Sequence, residues 1–425
     1  MAQIIQESLA AGCRGPVMRT RSFLFLQGVA SPFFARLAER LVAAGNQVFR
    51  ITFNGGDIAY WVGRPFWRFL ERVDALPEFL NEKFRKVGFT DIVLFGDKRP
   101  VHRPCIKWAN ENGIRIHVFE EGYFRPFWVT LERGGVNTQS NLPRDPNWYW
   151  KVGPALPNYG TGTPFISPFL HRALHDILYH VASAVNPVFF PRYRTHHEYI
   201  APIEAVGHVR RFVRSSLCKR QDKETLAGLI NDSIPYFLLP FQLNNDAQIR
   251  EHSPVGNMRG LTEHVMKSFA KYGPKDVRLV IKNHPLDKGL VNYPKVIGEL
   301  ERRFNLAGRV HYFETGDLVT MLRHAKGVVT VNSTVGPWAL QIGCPVVTLS
   351  NPIYNLNGLT FQGGLDEFWS NPVPPDSEFF RLFRNTVIHT TQISGGFYCK
   401  KGIEMTVKNS LYALQSDLSP LEELL

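Results

Sequence analysis

Short apolar runs alternate with amphipathic stretches in two separate parts of the chain. The run Arg21–Gly28 (RSFLFLQG) reads as a buried strand entering a glycine turn, and Ser31 and Pro32 suit the start of a helix. Phe34, Leu37, Ala38 and Leu41 then recur at helical spacing, and Gly45 closes that helix. Further strands are expected at Gln47–Phe53, Asp91–Gly96 and Arg115–Phe119, with helices at about Leu76–Val87 and Arg103–Asn112. Strands alternating with helices of this length predict a parallel sheet covered on both faces.

The rhythm stops between roughly 134 and 232. Pro- and Gly-rich sequence leads into a helical stretch, Phe169–Val185, with Leu170, Leu174, Ile177, Leu178 and Val181 on one stripe. Pro187, Phe189, Phe190 and Tyr193 follow, with the basic Arg192 and Arg194. Two readings suit this segment: a helical connection packed on the lobes, or an element that faces a membrane. Alternation resumes near Ile234, with strands at Tyr236–Phe241, Val277–Lys282, Val310–Phe313, Gly327–Val331 and Pro345–Leu349. Helices are expected between them at Leu261–Tyr272, Glu299–Phe304, Asp317–His324 and Val335–Ile342.

The expected organisation is a loose arm (1–20), a Rossmann-like lobe (21–150), a helical insert (151–232), a second Rossmann-like lobe that binds nucleotide (233–376) and a helical tail (377–425). Two such lobes without a G-x-G-x-x-G fingerprint predict an α/β fold of GT-B type with a cleft between lobes. A chain of 425 residues is long enough for both.

Composition adds limits. Hydrophobic residues make up 44% and charged residues 20%, an ordinary globular balance. No apolar run of about 18 residues is present, so no membrane-spanning helix is expected. Cys13, Cys105, Cys218, Cys344 and Cys399 form no C-x-x-C pair, which suits reduced thiols better than a disulfide framework or zinc site. The net charge of +12 fits phosphorylated or carboxylated substrates, or an anionic membrane surface. No RNA-binding signature accompanies it, so nucleic acid is not an expected partner.

Ligands of open α/β sheets bind beyond the carboxyl ends of the strands, and the polar clusters of this sequence stand there. Glu120-Glu121-Gly122 with Arg125 follows one strand: paired carboxylates whose ionisation a neighbouring cation can split, or a surface pair neutralised by arginine. Lys282-Asn283-His284-Pro285 follows another, where lysine and histidine can neutralise a phosphate. Ser333 and Thr334 open a helix, either as an ordinary cap or as a phosphate receptor with its free N–H groups. Gln242, Asn244 and Asn245 can hydrogen-bond a base or sugar, or serve a turn. Gln27, Gly28 and Ser31 are expected to border the cleft from the first lobe. His196-His197 are adjacent and rarely share a face, and no D-x-D closes an obvious strand. No metal and no cofactor are therefore expected, only a leaving phosphate stabilised by basic groups.

Taken together, LQGVASPFF, EEGYFRP, IKNHP and TVNSTVGPWALQIGCPVV resemble the capsule polysaccharide biosynthesis family of β-Kdo transferases, of the KpsS type, from about residue 22 to about 370. That resemblance implies a peripheral enzyme on the cytoplasmic face of the inner membrane. It would transfer Kdo from CMP-β-Kdo to lysophosphatidylglycerol with retention, starting the poly-Kdo linker of a capsule, with other capsule assembly proteins as further expected partners. Related chain-extending enzymes carry Glu-Asp-Gly where this chain has Glu120-Glu121-Gly122. By position the aspartate nucleophile of those enzymes falls on Glu121, one methylene longer; that departure leaves the roles of the two glutamates open, and the assignment taken is Glu121 as nucleophile and Glu120 as its partner. The resemblance also implies that His284 and Pro285 contact CMP and that Ser333 and Thr334 hold its phosphate. The alternatives are a CDP-glycerol-type glycerophosphotransferase and a non-catalytic export or assembly protein.

Overall fold

A computed structural model describes residues 20–194, 201–242, 257–287 and 289–425. The arm 1–20 lies outside these residues except for its last position, as do Asn244, Asn245, His196 and His197. Twelve strands are found among the described residues. They are β1 (Ser22–Phe25), β2 (Gln47–Thr52), β3 (Trp67–Arg68), β4 (Asp91–Phe95), β5 (Arg115–Glu121), β6 (Trp128–Arg133), β7 (Tyr236–Pro240), β8 (Arg278–Lys282), β9 (Val310–Phe313), β10 (Ala325–Thr330), β11 (Val346–Thr348) and β12 (Gln392–Ser394). One sheet has the order β12-β6-β5-β4-β1-β2-β3 and the other β11-β10-β7-β8-β9.

Every residue of β1, β4 and β7 is buried, as expected of central strands covered on both faces. The second sheet is parallel throughout. The first departs from the expected all-parallel pattern. Its β5 continues through Glu121, two residues past the predicted end, because Trp128–Arg133 turns back as an antiparallel partner. In that ladder Glu120 faces Thr130 and Glu121 faces Val129. Gly122 makes the reversal possible, since a Cβ there would stand 2.0 Å from the Trp128 carbonyl oxygen.

The tail does not stand apart. Helix Ser377–Thr391 runs into β12, which pairs with β6, and helix Lys400–Gln415 packs on helix Phe33–Ala43 of the first lobe. Buried Arg21 clamps this return. Its Nε donates to the Gln415 carbonyl at 2.9 Å, and its guanidinium lies 2.7 Å from Asp417 and 3.7 Å from buried Asp91. Phe397 adds ring contacts with Phe33 and Phe95 at 5.0 and 5.2 Å. Helix Ser377–Thr391 also ties the lobes together. Its Phe379, Phe383 and Val387 share one core with Tyr123 and Tyr149 of the first lobe and with Tyr236 and Leu340 of the second. Each such buried phenylalanine contributes about 1.5–3 kcal/mol.

The insert is divided between the lobes. Helix Ala201–Asn231 lies along the second, where Leu226 and Leu229 enter the shared core. Helix Phe169–Ser183 docks on the short helix Gly55–Ala59 of the first. Two glycines permit that approach: a Cβ on Gly55 would meet the Ala182 carbonyl oxygen at 2.1 Å, and one on Gly56 the Tyr179 ring at 2.6 Å. Gly55 N–H also donates to Asn186 Oδ1 at 2.8 Å.

Gly55→Ala is therefore expected to destabilise the protein by about 1–3 kcal/mol, because a backbone oxygen cannot yield as a flexible side chain does. Thermal melting should show a lower midpoint, and limited proteolysis should cut faster within 169–189. An unchanged melt and cleavage pattern would show that the two helices do not depend on this contact.

Candidate active site

At the end of β5 the two glutamates lie side by side but in different surroundings. Glu121 Oε1 receives Arg172 Nη1 at 3.2 Å and the Tyr398 hydroxyl at 3.1 Å. Arg172 comes from the insert helix and Tyr398 from the tail, and the guanidinium also lies 4.8 Å from the Tyr398 ring centroid. Burial alone would raise Glu121, but Arg125, Arg172 and the Tyr398 hydrogen bond outweigh it and hold the carboxyl below its usual range. Glu120 goes the other way. Burial lifts it to about 7, against the Glu121 N–H that donates to its Oε1 at 3.0 Å, and the negative charge of Glu121 adds to the rise. One carboxylate is thus ionised at neutral pH while its neighbour is poised between forms.

The second lobe presents its cluster at the ends of β7, β8 and β10. Asn283 organises the β8 turn: its Nδ2 donates to Glu314 Oε1 at 2.9 Å, and its Oδ1 accepts the His284 N–H at 2.9 Å. Glu314 is buried and also meets Arg211 and Arg214, both at 3.3 Å, from helix Ala201–Asn231. Arg211 reaches the Pro285 carbonyl as well. Lys282 is buried with its ammonium 3.2 Å from the Asn283 carbonyl, and burial followed by repulsion from Arg211 lowers its pKa. His284 Nδ1 accepts the Leu286 N–H at 3.0 Å, which leaves Nε2 to carry the proton of the neutral ring. Its pKa falls to about 4 through burial and then through Arg125, Arg211, Lys282 and Arg172. Arg125 and Arg172 therefore act on Glu121 of one lobe and His284 of the other, so both clusters face one cleft. The Arg125–Pro126 peptide is cis.

Beside them, Gln242 Oε1 accepts the Asn332 N–H at 3.2 Å and joins the ends of β7 and β10. Ser333 Oγ accepts the Val335 N–H at 3.1 Å, and the Ser333 carbonyl accepts the Tyr354 hydroxyl at 2.9 Å. Thr334 stands at the start of helix Val335–Gln341 without capping it through its side chain. Ser333 and Thr334 remain half-buried.

The first-lobe loop is used differently from the expectation of a cleft border. Gln27 is buried, and its Nε2 lies 3.2 Å from the Tyr179 hydroxyl, 3.1 Å from the Tyr193 hydroxyl and 3.4 Å from Asp57. Ser31 is 1% exposed and accepts the Phe33 N–H at 3.3 Å. Gln27 thus ties the lobe to the insert, and Ser31 caps its own loop, so both side chains turn inward. Gly28 offers its carbonyl to Arg99 at 2.8 Å, and a Cβ there would meet the Phe34 ring at 2.7 Å.

Sequence reading missed several participants. Arg172, Asp176 and Tyr179 share one helix face at a spacing of four and then three, a polar stripe hidden behind the apolar one. Arg99, Tyr398 and Glu314 stand in loops or at a strand end and carry no local signal. His102 is buried with Nδ1 2.6 Å from the Gly96 carbonyl, and burial with Arg99 nearby pushes its pKa down to about 3. It thus stays neutral beneath the turn that adjoins Glu120. Among the described residues no group of three or more His, Cys, Asp or Glu is placed to hold a metal ion, and no helix is long and apolar enough to cross a membrane.

A family model described as capsule polysaccharide biosynthesis protein matches residues 90–398. The chain belongs to this family. It is 37% identical over 383 residues to the capsule polysaccharide export protein KpsS of Escherichia coli, covering 89% of this chain and 97% of that protein. It is also 37% identical over 391 residues to the capsule polysaccharide modification protein LipB of Neisseria meningitidis serogroup B, covering 89% and 91% respectively. Among solved structures, the Thermosulfurimonas dismutans KpsC β-Kdo 2,7 transferase aligns over 95% of this chain and 97% of its own, at 13% identity and a TM-score of 0.43.

The raised Glu120 carries a pH signature in this family member. Its neutral form is favoured by folding, so its contribution is fully present below the ordinary value of 4.5 and is lost as pH rises through about 7. Buried Glu132, also raised to about 7, acts in the same direction. Glu120→Gln should therefore lose less stability than the wild type between pH 5 and pH 8, measured from denaturant midpoints. An equal loss in both proteins would remove Glu120 as a source of the dependence.

Proposed function

We propose that the protein is a retaining, metal-independent β-Kdo transferase that takes Kdo from CMP-β-Kdo and places it on a lysophosphatidylglycerol acceptor. The observation that carries this reading is the split between Glu121, held ionised, and Glu120, poised near neutrality, opposite a basic cluster at His284. Retention through two displacements needs one carboxylate that attacks and a second group that moves a proton.

In the first displacement a Glu121 carboxylate oxygen bonds to the anomeric carbon. The bond from that carbon to the CMP phosphate oxygen breaks, and the electron pair leaves with CMP. Arg172 and Tyr398 both engage Oε1, so Oε2 is assigned the attack. Their contacts keep Glu121 charged and fix its direction, at some loss of intrinsic nucleophilicity. Lys282 and the N–H groups at Ser333 and Thr334 are assigned the phosphate, and His284 donates from Nε2 to the departing CMP. In the second displacement the acceptor hydroxyl attacks the same carbon, Glu120 accepts its proton, and Glu121 departs. Arg125 completes the site by opposing the carboxylate of Kdo. The membership of KpsS and LipB in the same family supports a step in capsule synthesis.

Purified protein incubated with CMP-β-Kdo and lysophosphatidylglycerol should yield a product heavier by one Kdo in mass spectrometry. Glu121→Gln should lower kcat by roughly a thousandfold or more while the melting midpoint stays near that of the wild type. His284→Ala should chiefly raise the donor KM. Transfer of glycerol phosphate from CDP-glycerol, with no Kdo product, would overturn the assignment.

A further inference from the structure

Helix Phe169–Ser183 is amphipathic in the reverse of the usual sense. Its polar residues point inward: Arg172 pairs with Glu121, and Tyr179 is buried on Gln27, Asn54 and Asp57. Its apolar residues point outward. Leu170, Leu174, Ile177, Leu178, Val181 and Val185 are between 46% and 65% exposed, and the face continues through Val188 and Phe189. These positions recur at helical spacing and make one contiguous stripe rather than scattered surface aliphatics. Described residues cover them only in part: Leu174 lines a groove, and Val185 Cγ2 lies 3.2 Å from where a Gly55 Cβ would stand. Beside the stripe a groove of about 810 Å³ runs between this helix and helices Phe33–Ala43 and Lys400–Gln415. His171, Leu174 and His175 form one wall, and Arg36, Arg40 and Lys400 stand on the others. The groove reaches Tyr398, whose hydroxyl bonds Glu121.

We propose that this outer face is a bilayer-docking surface for anionic membranes, and that the groove opens from the headgroup layer towards the carboxylates. The occupant follows from the chemistry at the two ends of the stripe. Arg36, Arg40 and Lys400 lie at its groove side, and exposed Arg194 and Arg192, the latter paired with Glu71, lie beyond Phe189, on a chain whose net charge is +12. Aliphatic side chains bracketed by cations suit acyl chains beneath anionic headgroups, whereas a soluble protein partner would not require cations at both ends. The glutamates of the groove, Glu39 and Glu404, do not reverse this sign, because they face Arg36, Arg40 and Lys400 in the lining, and Arg64 joins Arg36 in pairing with Glu39. The helix is thus bifacial: one side enters the interface while the other delivers Arg172 to Glu121.

Vesicle flotation tests the surface without any donor substrate, so its outcome is separate from that of the transfer reaction. The full chain should float with phosphatidylcholine vesicles containing phosphatidylglycerol and much less with phosphatidylcholine alone. The variant Leu174→Glu/Ile177→Glu/Val181→Glu alters exposed positions and should melt like the wild type, yet lose binding by roughly a hundredfold or more. Arg40→Glu/Lys400→Glu should lose roughly tenfold or more, on anionic vesicles only. Hydrogen exchange with vesicles present should protect 170–189. Equal flotation of the triple variant, or protection elsewhere instead, would overturn the proposal. So would a wild-type dimer that the triple variant dissociates and that ignores vesicles, since a second copy would then cover the face.

Discussion

An ionised glutamate largely withdrawn from water must be met by opposite charge and hydrogen bonds, and Glu121, 21% exposed, obtains these from far along the chain. Arg172 stands 51 residues away and Tyr398 stands 277 away. Neither can reach the end of β5 unless the insert helix docks and the tail returns to the first lobe. An isolated buried charge is costly, and the usual escape is protonation. Here the cost is offset by two guanidiniums and a phenol. The same offset makes the difference between Glu121 and Glu120, so the chemistry of the site depends on the tertiary closure of the chain.

That closure has its own supports. Arg21 fixes the far end of the tail against Asp91 and Asp417, while Phe379, Phe383 and Val387 hold both lobes to one core. Gly55 and Gly56 allow the insert helix to lie close enough for Tyr179 to reach Asp57 and for Arg172 to reach Glu121. On the opposite side, Arg211 and Arg214 from helix Ala201–Asn231 brace Glu314, which holds Asn283, which presents His284. Each half of the insert therefore supports one wall of the cleft.

The two-lobed architecture was legible because strand and helix periods alternate twice with a break between. Residues at strand ends were legible for the same reason: Glu120, Glu121, His284 and Ser333 stand where a parallel sheet opens. Local pattern gave no access to what long-range pairing decides. The two-residue extension of β5 depends on β6, and β12 is only three residues long and finds its partner across 262 positions. The inward turn of Gln27 and Ser31 was not legible, because sequence shows where a loop begins but not which way its side chains turn. The polar stripe Arg172, Asp176 and Tyr179 was hidden by a stronger apolar signal on the same helix.

That concealment has a physical meaning. Apolar periodicity ordinarily marks the buried face of a helix, since water removal from apolar surface is what docks it. In helix Phe169–Ser183 docking relies instead on glycine-permitted backbone approach and on buried polar contacts at Tyr179 and Arg172. The apolar face from Leu170 to Val181 is then left half or more exposed among the described residues. A sequence bearing only the need to deliver Arg172 could have placed polar residues on that outer face at little cost to folding. Aliphatic residues there, half or more exposed from Leu170 to Val181, oppose solubility and add little to the docking that the inner face already provides. The arrangement is economical only if the outer face meets an apolar environment of its own, and a bilayer surface supplies one beside the groove that leads to Tyr398 and Glu121.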